Sequence, residues 1–170
     1  MGKVIAILGE TGGGKTTSTI INPDGTYNRE DYQGMDPKSH FILNLDRKPM
    51  PLPPGMWSVE QKNYCEPVTS KEIKEILEWC ATQPQIKSVS LDTINIYLSM
   101  KEFNERRKLT FDQWRDIAND VIEINILCNT VLREDQLAYI VGHVQPVDQP
   151  DGSSKLMFSI IGKKSTKNPP

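Results

Sequence analysis

Apolar runs divide this chain into short strands with polar connectors between them. Val4-Ile5-Ala6-Ile7-Leu8 is apolar without alternation and stops at Gly9, the pattern of a parallel strand covered on both faces. His40-Phe41-Ile42-Leu43-Asn44-Leu45-Asp46, Ser88-Val89-Ser90-Leu91-Asp92 and Leu137–Val144 predict three more strands, two of them closing on an aspartate. Behind a turn at Gln149-Pro150-Asp151-Gly152, Lys155–Ile161 predicts a last strand that returns antiparallel.

Helical spacing fills the gaps between these runs. Thr69 with Glu72 forms a capping box, and Ile73, Ile76, Leu77 and Cys80 repeat on one face before Pro84. Thr110 with Gln113 opens a longer helix, in which Trp114, Ile117, Val121, Ile124, Leu127, Cys128 and Val131 are spaced for burial. Ile94–Phe103 is weakly helical, and a short helix from Lys15 ends near Ile21 because Pro23 disfavours helix before it. Asp24–Ser39 has no apolar period and reads as a surface loop. Its Tyr27 and Tyr32 are either adenine-stacking residues or ordinary exposed tyrosines. Pro49, Pro51, Pro53 and Pro54 exclude helix and central strand, leaving a stiff connector. Strands alternating with helices predict an α/β fold: a mostly parallel central sheet, helices on both faces and an antiparallel C-terminal edge strand. One domain spans 1–162, followed by a basic tail at 163–170.

Composition narrows the class. At 170 residues, with 37% hydrophobic and 25% charged, the chain suits a single globular core. Its net charge of −2 provides no general basic field, so nucleic-acid binding would need a local patch. Neither a membrane-length apolar run nor a signal-peptide pattern occurs, and the expectation is a cytoplasmic protein without membrane contact. Cys65, Cys80 and Cys128 have neither disulfide-framework nor metal-site spacing, which predicts reduced packing thiols.

The candidate chemistry begins where the first strand ends. Gly9-Glu10-Thr11-Gly12-Gly13-Gly14-Lys15-Thr16 fits G-x-x-x-x-G-K-[ST], followed by Thr17. Glycines let backbone N–H groups curl around a polyphosphate, and the following helix turns its positive end toward the same anion. Lys15 would meet the β- and γ-phosphates of ATP, and Thr16 the Mg²⁺ ion. Asp92, closing a strand downstream, has the Walker B placement for holding Mg²⁺. Asp46 also closes a strand, where ligands of open parallel sheets sit. His143 and Gln145 end another strand. They could sense a γ-phosphate, with a satisfied structural histidine as the alternative for His143. Glu105-Arg106-Arg107-Lys108 reads as a solvated turn or as an arginine finger or DNA contact.

With these elements in this order, the chain resembles small phage-encoded RecA-like ATPases. Further likeness lies in Gly14-Lys15-Thr16-Thr17-Ser18, in Phe41-Ile42-Leu43-Asn44, in Lys48-Pro49-Met50-Pro51 and in Ile161-Gly162-Lys163. The resemblance implies a RecA-like P-loop fold and ATP hydrolysis coupled to single-stranded DNA handling. Phage recombination proteins are the implied partners, and homo-oligomeric rings or filaments the implied assembly. It implies that Asp46 activates the attacking water, that Asp92 holds Mg²⁺, and that Gln145 or His143 senses the γ-phosphate. Lys163 and Lys164 become candidates for reaching a neighbouring subunit's ATP, against a plain reading as solubilising charge. One departure is Asp46 where relatives more often carry the longer Glu. Two other classes stay open: a nucleotide-gated binding module without turnover, and a small-molecule kinase, although no arginine-rich lid segment is visible. A GTPase is disfavoured, because Asp92-Thr93-Ile94-Asn95 is not D-x-x-G and no N-K-x-D occurs.

Overall fold

The computed structural model describes residues 2–10, 12–16, 35–105, 111–149 and 151–158. Within them run strands β1 (Lys3–Gly9), β2 (His40–Asn44), β3 (Tyr64–Cys65), β4 (Ser88–Asp92), β5 (Leu137–Asp148) and β6 (Ser154–Phe158). Helices are α1 (Ser70–Thr82), α2 (Ile94–Glu105) and α3 (Phe111–Thr130). The sheet order is β1-β5-β4-β2-β3, every neighbouring pair parallel, and β6 runs antiparallel along the far half of β5. The molecule is thus an α/β protein around a mostly parallel sheet. Neither the two-residue β3 nor the length of β5 was legible in the apolar pattern. A strand as short as β3 has too few positions to show a period.

Strand register sorts the core into two faces. Phe41, Leu43, Val89, Leu91 and Ala138 share one face and pack with Ile73, Leu77 and Cys80 of α1, Ile94, Tyr97 and Leu98 of α2, and Ile124 and Cys128 of α3. All three described helices therefore lie on that face. The expected second helical layer is not found among the described residues. On the opposite face the proline-rich connector forms the cover: Trp57 packs on Ile42, joined by Met35, Met50, Leu52, Met56 and Tyr64. Asn63 pins this cover, donating to Pro37 O (2.9 Å) and Met56 O (2.8 Å). Since prolines present few donors to leave unsatisfied, an irregular segment can serve as a layer.

That second face is partly polar, which the Ser88-Val89-Ser90 alternation explains. His40 is fully buried, with Nδ1 2.7 Å from Ser88 Oγ and Nε2 2.8 Å from Ser90 Oγ. Its ring meets Trp57 edge-on at 5.6 Å. Burial pushes its pKa down to about 3, so the imidazole is neutral at pH 7, one nitrogen donating and the other accepting.

β1 departs from expectation. Ile5 is 42% and Leu8 49% exposed, so this apolar run is not covered on both faces. Among the described residues β1 pairs with β5 alone and forms an edge, where one flank has no neighbouring strand.

α1 illustrates how local and distant signals combine. Thr69 Oγ1 accepts from Glu72 N (3.2 Å) while Glu72 Oε2 accepts from Thr69 N (3.0 Å), the capping box foreseen from sequence. The helix has no basic residue in its last turn, and Arg133 from the turn before β5 supplies one. Its guanidinium donates to Ala81 O (2.6 Å), Gln83 O (3.0 Å) and Ile86 O (3.0 Å). Cationic donors at a helix C-terminus satisfy orphan carbonyls and meet the dipole favourably. The three cysteines are free thiols, and burial pushes each up to about 12.

Candidate functional site

β1 delivers Gly9 to the carboxyl edge of the sheet, and the chain then turns tightly. Gly13 N donates to Glu10 O at 3.1 Å. Gly12 and Gly14 hold φ of 79° and 74°, backbone that side chains resist, so both positions need glycine. Lys15 and Thr16 begin a helix. The Lys15 ammonium folds back over the loop, donating to Gly9 O (3.0 Å) and Glu10 O (2.7 Å). Thr11 and Thr17 of the motif lie outside the described residues.

Asp92 closes β4 and is 6% exposed. Its Oδ2 accepts a hydrogen bond from Thr16 Oγ1, and its Oδ1 one from Thr93 Oγ1 at 2.8 Å. The loop hydroxyl and the strand-end carboxylate, assigned separately from sequence, therefore touch. Burial lowers the Lys15 pKa, with the Asp92 charge opposing it. A hydroxyl beside a carboxylate is the donor set for a Mg²⁺ that takes its remaining ligands from phosphate and water. Among the described residues no cluster of three or more His, Cys, Asp or Glu could hold a metal by itself. Thr16 and Asp92 fit the ion only in partnership with an anionic ligand.

Between β1 and β4 lies β5, which brings His143 into register with Gly9. Asn95, in the first turn of α2, brackets it: His143 N donates to Asn95 Oδ1 (2.6 Å), and Asn95 Nδ2 donates to His143 O (3.2 Å). His143 Nδ1 is buried and has no hydrogen-bond partner among the described residues. Burial lowers the His143 pKa, helped by Lys15 and Lys48 and opposed by Asp92 and Asp46. A neutral ring with an unsatisfied inward nitrogen suits a polar ligand at this spot. Gln145, two residues on, is exposed and lies in the ladder opposite Met157.

Asp46 stands just beyond β2, whose last residue, Asn44, is in register with Asp92. Its carboxylate accepts from Lys48 N at 3.1 Å and lies 3.9 Å from Lys48 Nζ. The structure thus gathers Lys15, Thr16, Asp92, His143 and Asp46 at the carboxyl ends of four adjacent strands, while Gln145 points to solvent. Lys163, Lys164, Tyr27, Tyr32 and the Arg106-Arg107-Lys108 turn lie outside the described residues. Sequence reading missed two positioning residues, Asn95 and Asn44. Asn44 is fully buried, and its amide donates to Lys48 O (3.0 Å) and Tyr64 OH (2.6 Å). An asparagine inside an apolar strand run was the available signal, since a buried amide needs partners.

Among the described residues no helix is long and apolar enough to cross a membrane. No protein-family model matches the chain, and no curated protein matches it.

Proposed function

We propose that this protein is a RecA-like P-loop ATPase of the phage type, binding ATP with Mg²⁺ and hydrolysing it while handling single-stranded DNA. The observation that carries the nucleotide part is the contact between Thr16 and Asp92, made beside a glycine turn whose lysine covers the loop carbonyls. In this reading backbone N–H groups of residues 12–16 cradle the phosphates, and Lys15 leaves Gly9 O and Glu10 O to meet the β- and γ-oxygens. Thr16 and Asp92 would hold Mg²⁺, which when bound would offset the negative charge of the phosphates. Asp46 orients a water whose oxygen attacks the γ-phosphorus. The bond to the bridging oxygen breaks, its electron pair leaves on ADP, and the water proton passes to Asp46 or to the phosphate product. His143, in register with Gly9 and with a buried Nδ1 that has no partner among the described residues, takes the part of γ-phosphate sensor in this reading. The DNA role, a cytoplasmic location and assembly into homo-oligomers rest on the resemblance of the motifs in order.

Measuring ADP release with and without single-stranded DNA, with Lys15→Ala as reference, tests the proposal. DNA-stimulated release that Lys15→Ala abolishes is expected. ATP binding without turnover would turn the reading to a nucleotide-gated binding module, and release dependent on a small acceptor to a kinase. Failure of ATP to bind at all would overturn it.

A further inference from the structure

The loop after β2 carries two cations, Arg47 and Lys48, and the fold treats them differently. Leu45 N donates to Asp92 O at 2.6 Å, so the chain leaving β2 is stitched to the strand that carries Asp92. Arg47 then adopts φ 55°, a left-handed step that reverses the chain, with its N–H donating to Asn44 Oδ1 at 3.1 Å. Asn44 Nδ2 grips Lys48 O at 3.0 Å, and the same amide is held by Tyr64 OH, which donates to Glu66 Oε1 at 2.6 Å. Lys48 therefore has a backbone held by Asn44 and a side chain that reaches into solvent. Its side chain is 67% exposed and its ammonium meets Asp46 Oδ2 only at 3.9 Å, and exposed pairs of this kind contribute little.

We propose that Lys48 is the second cation of the site, leaving Asp46 to bind the terminal phosphate of a nucleoside triphosphate in cis and thereby freeing the Asp46 carboxylate for water. This rests on the nucleotide reading given above. Two separate influences agree with it. The charge of Lys48, like that of Lys15, disfavours protonation of His143, so both ammoniums act on one strand-end crevice, whereas Arg47 acts on Glu72 at the start of α1. The exchange also answers a problem of charge. The loop itself provides one ammonium, and a phosphoryl group spreading negative charge in its transition state is stabilised by a further cation. Lys48 supplies it from the same chain, without recourse to a neighbouring subunit.

Calorimetric titration of the full chain with Mg-ATP and with Mg-ADP separates the possibilities, using Lys48→Met, Lys48→Arg and, as a surface control, Lys74→Met. Lys48→Met should weaken ATP binding about 10- to 100-fold, the loss of one charge-assisted hydrogen bond. ADP, lacking the terminal phosphate, should bind as before, Lys48→Arg should retain most ATP affinity, and Lys74→Met should change nothing. An unchanged ratio of ATP to ADP affinity in Lys48→Met would overturn the role of Lys48 while leaving the nucleotide reading intact. If the parent chain binds neither nucleotide, both fall together.

Discussion

Thr16 and Asp92, 76 residues apart, share a hydrogen bond in which the hydroxyl of the loop helix donates to the carboxylate of β4. With it, the glycine turn and the carboxyl end of β4 meet, and β5, lying between β1 and β4, brings His143 into register with Gly9.

Replacing Asp92 with Asn keeps the shape and the acceptor for Thr16 but removes the charge. Mg²⁺-dependent nucleotide affinity should fall at least 10-fold, while affinity measured in EDTA should change little, because only the metal depends on the carboxylate charge. Isothermal titration with and without Mg²⁺ reads both. Equal loss under the two conditions would place the metal elsewhere.

Asp46→Asn should behave differently. Orienting a water matters only on the way to the transition state, so nucleotide binding should be retained and turnover should fall about 100-fold or more. Steady-state ADP release at saturating ATP gives the answer, and parental turnover would move the water-activating role to another group.

His40 makes stability depend on acid. Its folded pKa is about 3, against about 6.5 when exposed in the unfolded chain, so between those values the unfolded state binds a proton that the native state excludes. Stability is fully present above about pH 6.5 and should be lost as pH falls toward 3, by up to about 1.4 kcal/mol per pH unit in mid-window. Urea unfolding at pH 7, 6, 5 and 4 measures the slope. His40→Phe should flatten this part of the curve even if it lowers stability at pH 7 by taking the ring nitrogens away from Ser88 and Ser90.

Arg133→Ala strips donors from the carbonyls of Ala81, Gln83 and Ile86. Hydrogen bonds to a charged group contribute about 1.5–3 kcal/mol, and water can replace part of the loss at this partly exposed end. A decrease of about 2 kcal/mol is expected, seen as a lower urea midpoint with an unchanged m-value. Nucleotide binding should be unaffected, since Arg133 works at the far end of α1.

Local physics made much of this protein readable in one dimension. Gly12 and Gly14 announce left-handed backbone, Thr69 and Glu72 announce a helix start, and Asp92 ends an apolar run, because each is decided within a few neighbouring residues. Pairing across the sheet is not local. That β5 lies between β1 and β4, so that His143 stands in register with Gly9, depends on which strand docks where, and every order of parallel strands has the same apolar pattern. The same holds for Arg133, which caps a helix it does not belong to, and for Asn44, whose amide finds Lys48, Tyr64 and Glu66 only after β2 and β3 have paired. Exposure of Ile5 and Leu8 on β1 belongs with them, since burial of a strand's faces depends on which elements pack over it, and an apolar run carries no record of its neighbours.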